Sequence, residues 1–257
     1  MSLLSNLTTQ NDIADEKDSV GGGNQVFDSA IYRMKVTLAY LQKSPGGALG
    51  LFLTLKGEDD RELRQALYLT GGDAKGNKNY YEKDGVKNYL PGFNMGNSLS
   101  LLTTGKEISE LDTETKTVAL YNFEAKAEVP TKVEVVTDLM GQEIFAAVLR
   151  QTVDKTKKND ATGQYEPTGE TRDENEIDKF FCAKDGYEKL TSAEIKAKKS
   201  DPTVGPAFFD TWSEKWSGKT RDKTGKGAKG AAGAGKPAGA GSPAAGAGKP
   251  SNSLFGA

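Results

Sequence analysis

The chain contains no histidine. That absence removes Ser-His-Asp and Cys-His catalysis, imidazole zinc sites and histidine acid–base work, since each needs a ring that titrates near neutral pH or ligates metal through nitrogen. Cysteine is almost missing too. Cys182 stands alone, so no intramolecular disulfide forms, and a reducing compartment suits the chain. Following Phe180 and Phe181, its thiol reads as a small buried apolar group rather than a nucleophile. No apolar run is long enough to span a bilayer. The opening MSLLSNLTTQNDIADEKD lacks the basic start and apolar stretch of a secretory signal. These absences predict a protein that stays in a cytoplasm and makes no membrane contact.

Large apolar residues are scarce at both ends. Residues 1–25 are polar and close on GGGN, which reads as a flexible N-terminal arm. Residues 217–257 are dominated by Gly, Ala, Lys, Pro and Ser, which supply no core. One folded domain over 26–216 is therefore predicted, followed by a disordered tail whose only large apolar groups are Leu254 and Phe255. The net charge of −2 hides an asymmetry: from Ser217 onward seven Lys or Arg face one Asp, leaving −8 on the preceding residues. An acidic body weighs against a broad nucleic-acid footprint, but a groove can be locally basic and a cationic tail adds attraction.

What lies between the ends alternates. IYRMKVTLAYL sets Tyr32, Met34, Val36, Leu38 and Tyr40 on one face and Arg33, Lys35 and Thr37 on the other, a half-buried strand with a cationic outer side. After the SPGG break, ALGLFLTLKG turns Leu49, Leu51, Leu53 and Leu55 inward and Gly50, Phe52, Thr54 and Lys56 outward, with Phe52 the odd ring on a polar side. LRQALYLT is a third strand. NMGNSLSLLTTGKE predicts a short helix capped by Asn97 or Ser98 and ended by Gly105. TKTVALYNFEA and TKVEVVTD read as strands divided by Pro130, and DLMGQ turns the second into EIFAAVLRQTV as a hairpin. Residues 154–178 are charged and turn-rich, an extended hairpin or mobile loop. Thr191 and Glu194 make a capping box for one helix, and Phe208, Trp212 and Trp216 stand four apart on another, a stripe that packs onto the sheet. The succession predicts a mainly β fold: an OB-like antiparallel barrel with a short helix before the final hairpin, additional C-terminal helices and a disordered tail.

Two phosphate-loop matches occur in the tail and neither holds. GAAGAGKP ends in Pro237 where a magnesium-binding Ser or Thr is required, and GKGAKG neither follows a strand nor opens a helix. The carboxylates at Glu58 to Asp60 and Asp173 to Asp178 would serve a magnesium-dependent nuclease only if they converged, and both runs read as solvated turns. No metal, cofactor or catalytic residue is predicted. The strongest signal is NKNYYEKDGVKNYLPGFN, residues 77–94, read as a loop in which Tyr80, Tyr81, Tyr89 and Phe93 lie among Lys78, Lys83 and Lys87, with Lys75 nearby. Single-stranded nucleic acid presents flat unpaired bases and a phosphate chain, so its binders combine exposed rings with cations. Outward Arg33, Lys35, Phe52 and Lys56 extend the same pairing of groups. The competing reading folds Tyr81, Tyr89 and Phe93 back as a small core of the loop.

The strand-rich body, YLPGFNMGNSLSLL, KVEVVTDLMGQEIFAAVLRQ and the ending SLFGA resemble a bacteriophage single-stranded DNA-binding protein over about residues 26–216 in organisation, without a diagnostic short motif. The resemblance implies an OB fold, sequence-tolerant DNA binding without catalysis in phage replication or recombination, and residence in the cytoplasm of an infected bacterial host. It also implies a tail whose Leu254 and Phe255 recruit replication or recombination proteins. One departure stands out: many such tails end in an acidic run capped by an aromatic residue, whereas this tail is cationic. A virion structural or assembly protein is the alternative from another class, and the magnesium-dependent nuclease a third.

Overall fold

The computed structural model describes residues 26–122, 125–159, 165–225 and Leu254. In chain order, β1 (Ala30–Lys43), β2 (Leu49–Gly57) and β3 (Glu62–Tyr68) form a meander. A small hairpin of β4 (Tyr80–Lys83) and β5 (Val86–Tyr89) leads into helix α1 (Pro91–Thr104). Strands β6 (Thr113–Asn122) and β7 (Ala127–Val136) pair along their length, as do the longer β8 (Glu143–Lys158) and β9 (Tyr165–Cys182). Helices α2 (Ser192–Lys198) and α3 (Ala207–Trp216) and the short β10 (Thr220–Asp222) follow.

β1 is the spine. Along one edge it pairs with β2; along the other it pairs first with β8, through Ala30 to Lys35, and then with β7, through Tyr40 and Leu41. The change of partner flanks a bulge: Val36 opposes Leu55 but Leu38 opposes Thr54, so Thr37 is an extra residue. A bulge exchanges the two faces of everything that follows it. Met34 and Val36 face the core before it, and Ala39 does so after it. Leu38 and Tyr40, expected inward, are thereby turned to the outer face.

The main core lies inside the curl of the sheet. Leu51, Leu53 and Leu55 of β2 meet Leu63 and Leu67 of β3, Leu99 and Leu102 of α1, and Ile144, Ala146 and Val148 of β8. A second cluster forms on the other side of β8, where Ala147, Leu149 and Phe181 pack under Trp212 of α3. β8 is therefore buried on both faces, which is why EIFAAV reads as an apolar run rather than an alternation. Trp212 is anchored further by its indole N–H, which donates to Asp178 at 2.8 Å. The packing expected of α3 is present at Trp212 and Trp216, while Phe208 stays exposed and Phe209 takes the inward place.

The eight-stranded sheet curls but does not close, so the closed barrel expected from the strand succession is corrected to an open, mainly antiparallel sheet. Where β3 approaches β9 there is no ladder; the Ile177 N–H donates instead to the Gln65 side chain at 3.1 Å. β7 and β8 do not form the predicted hairpin. They share one edge of β1, with a 3-10 turn at Thr137–Leu139 between them. Pro130 does not divide two strands but lies within β7, at a point where β6 is the only partner and a missing N–H can face away from the ladder. α1 begins at Pro91, not at Asn97 or Ser98, because proline suits the first helical position, and it ends at Gly105 in the left-handed conformation as predicted. The Thr191–Glu194 capping box is formed, at 3.1 and 2.8 Å. The ordered sheet also continues past Trp216. β10 runs parallel to β8, and its Arg221, with Lys223 beyond, pairs with Glu176.

Candidate nucleic-acid interface

The bulge at Thr37 builds the most distinctive surface. Tyr40 now stands directly opposite Phe52 on the outer face, their rings stacked with centroids 5.2 Å apart and planes 15° from parallel. Tyr68 on β3 meets Phe52 edge-on at 6.4 Å. The Phe52 ring lies over Gly50, where a Cβ would come within 2.9 Å of it, so the absence of a side chain there makes room for the ring. Three rings from three adjacent strands form one stripe, and Tyr68 is 44 % exposed. Arg64 lies on the same outer face, since its register partner Thr54 sits two residues from Phe52. Burial pushes the Tyr40 hydroxyl above its ordinary value, and the nearby Arg64 charge partly offsets this.

The segment read as a loop is a hairpin. Tyr80 pairs with Tyr89 and Tyr81 with Asn88, and the turn places both Asp84 (φ 53) and Gly85 (φ 75) in the left-handed region, the conformation of a two-residue hairpin turn. Tyr80 and Tyr89 therefore share one side. The Lys78 and Lys87 ammonium groups stand 5.6 and 5.1 Å from the Tyr80 ring centre. Tyr89 leans on Phe93 of α1, with centroids 4.9 Å apart. Tyr81 and Tyr89 are 43 % and 56 % exposed, so they do not form a closed core of the hairpin. Among the described residues Lys75, Lys78, Lys83 and Lys87 make no ion pair with a carboxylate, which leaves their charge available to a polyanion.

Between hairpin and sheet opens a cleft of about 500 Å³. Leu41, Leu49, Leu69, Phe93 and Val136 give it apolar walls, and Lys78 and Tyr80 stand among its lining groups. Leu41, Leu49 and Leu69 are chain neighbours of Tyr40, Gly50 and Tyr68, so cleft and ring stripe occupy opposite faces of the same strand ends. α1 fixes this junction: a Cβ on Gly92 would fall 2.2 Å from the Tyr68 carbonyl oxygen, so only glycine allows so close an approach.

The remaining candidates are less well placed. Arg33 is closed onto Glu143 at 2.7 Å, and its hydrogen bond to that carboxylate raises its pKa. Lys56 is held by Asp60 at 2.7 Å. Lys35 opposes Lys56 in register, and like charges so placed favour a shared counter-ion. Exposed pairs of this kind exchange partners readily. Leu254 is not displayed to a partner but buried, at 2 % exposure, with its N–H donating to the Gly105 carbonyl at 2.9 Å. Phe255 lies outside the described residues. Carboxylates of both runs are engaged by cations: Asp59 with Arg61, Asp173 with Arg150, and Glu176 with Arg221 and Lys223. Among the described residues no group of three or more acidic or cysteine side chains is arranged to hold a metal ion, and no helix is long and apolar enough to cross a membrane.

Of the residues on this surface, sequence reasoning singled out Phe52 and the hairpin rings but not Tyr40, Tyr68 or Arg64. For Tyr68 the signal was present, because alternation through Leu63, Leu67 and Leu69 turns it outward. No protein-family model matches this chain, and no curated protein matches it either.

Proposed function

We propose that the protein binds single-stranded DNA without sequence preference and without catalysis, stacking bases on the stripe of Tyr40, Phe52 and Tyr68 and on the hairpin rings Tyr80, Tyr81 and Tyr89. Lys75, Lys78, Lys83 and Lys87 neutralise phosphates, with Arg64, which pairs with Glu62, and Lys35, Lys56 and Arg33 at the periphery. The observation that carries this reading is the bulge at Thr37, which turns Tyr40 out of the core to stack on Phe52. An apolar ring stripe on an outer sheet face is costly unless something covers it. In this reading the curled, open sheet is a variant of the OB barrel, and the protein protects DNA during phage replication or recombination in a bacterial cytoplasm.

The test is a titration of labelled oligonucleotide, single-stranded and matched duplex, with and without magnesium. Tight binding of intact single strands, with much weaker binding of duplex, is the expected result. About three to five phosphate contacts at roughly −0.7 each give a slope of log K on log salt near −2 to −3.5. No binding of either form refutes the reading in favour of a protein-assembly role, and strand cleavage in magnesium refutes it in favour of a nuclease.

A further inference from the structure

Leu254 is the only described residue beyond Gly225. It joins the main core cluster, to which α1 also contributes, and is tied to the body by a backbone hydrogen bond to Gly105, the left-handed residue (φ 83) that ends α1. The Gly105 N–H is itself spent on Leu101, so its carbonyl is the group the helix end offers to an incoming strand. An apolar recess beside a backbone acceptor is a minimal peptide-recognition site: the acceptor fixes the peptide backbone and the recess selects one side chain.

We propose that the C-terminal end of α1 is a docking site for the chain's own C-terminal peptide, held in cis by Leu254 and open to the same peptide from a neighbouring copy. Among the described residues the contact is made by one leucine side chain and one backbone hydrogen bond. The connecting residues 226–253 argue for reach. At about 3.3–3.6 Å per residue their contour approaches roughly 95 Å, against a diameter of roughly 40 Å for a folded body of this size. Site and peptide are different parts of the surface, so exchange between copies either closes as a reciprocal swap of two tails or runs head to tail along a series of copies. Copies lying side by side on a DNA strand would be joined in series. That last step rests on the proposed function, and the docking itself does not.

The experiment uses full-length chains. A labelled synthetic SNSLFGA peptide is titrated into the wild type and into Leu254→Asp, whose own site is vacated, with Leu254→Ala as a milder variant should the aspartate prevent folding. With an effective concentration of about 1 mM for the tethered peptide and an intrinsic dissociation constant of about 0.1 mM, the wild type should bind the free peptide roughly 10-fold more weakly than the variant. A control peptide with aspartate at the leucine position should not bind. Equal binding to both chains, or binding to neither, overturns the docking site. On an oligonucleotide long enough for several copies, the wild type should bind cooperatively and the variant should not, while both bind a one-copy oligonucleotide equally. Equal cooperativity overturns the exchange between neighbours. If neither chain binds DNA, the nucleic-acid reading fails while the docking site is judged on the peptide titration alone.

Discussion

Replacing Phe52 by alanine separates what its ring does for the fold from what it does for a ligand. In the fold the ring makes two aromatic contacts, to Tyr40 and Tyr68, each worth about 0.5–1.5 kcal/mol. It is only partly buried, so the total should fall short of the ~3–5 kcal/mol lost with a fully buried phenylalanine. A loss of about 2 kcal/mol corresponds to a melting temperature lowered by roughly 4–8 °C for a domain of this length. Toward DNA, a base stacked on the ring is worth about 1–3 kcal/mol, equivalent to binding weakened between about 5- and 150-fold. Thermal unfolding by circular dichroism and an anisotropy titration at fixed salt measure the two effects on the same sample. Tyr165→Ala is the control: that ring is 54 % exposed near the tip of the β8–β9 arm and should alter neither. If Phe52→Ala melts lower as expected yet binds within about two-fold of the wild type, the stripe is packing alone and the stacking argument is wrong.

Tyr80 and Tyr81 replaced together by alanine should weaken DNA binding at least about 5-fold with little change in melting temperature, because both lie on a two-stranded hairpin outside the main sheet; unchanged affinity with a large drop in melting temperature would make them structural. Burial raises the Cys182 thiol above its ordinary pKa and seals it from solvent, so an aromatic disulfide reagent should label it only as fast as the protein unfolds. Rapid labelling of folded protein at neutral pH would refute that. Hydrogen bonds from Thr152 and then Arg150 hold the Asp173 carboxyl below its usual 3.8. A lowered folded value contributes stability above the unfolded pKa and loses it as pH falls through the folded one. Asp173→Asn should therefore melt below the wild type at pH 7, with the gap narrowing as pH falls below about 3.8; a gap that does not narrow there would contradict the assignment.

Legibility in the sequence followed physical cause. The alternation of β2 was readable because each odd position from Leu49 to Leu55 is leucine, so Phe52 declared itself by breaking the polar side. The bulge in β1 was not readable: Leu38, Ala39, Tyr40 and Leu41 are apolar on both parities, so pattern alone cannot say which parity faces the core. The Asp84–Gly85 pair did announce a hairpin turn, but strands of four mostly polar residues have no buried face to advertise them. Pro91 carried the signal for the start of α1. β10 had none, because backbone ladder bonds and the ion pairs of Arg221 and Lys223 hold it without an apolar contact of its own.

Because β8 presents Ile144, Ala146 and Val148 to one cluster and Ala147 and Leu149 to the other, the two clusters share that strand as a common wall. Stripping α3 away would lay half of that strand bare to water, and loosening the main sheet would take away the platform on which Trp212 rests. The two layers therefore have no separate melting points. Unfolding should be a single event seen alike by tryptophan fluorescence, which reports from α3, and by far-ultraviolet circular dichroism, which reports from the sheet.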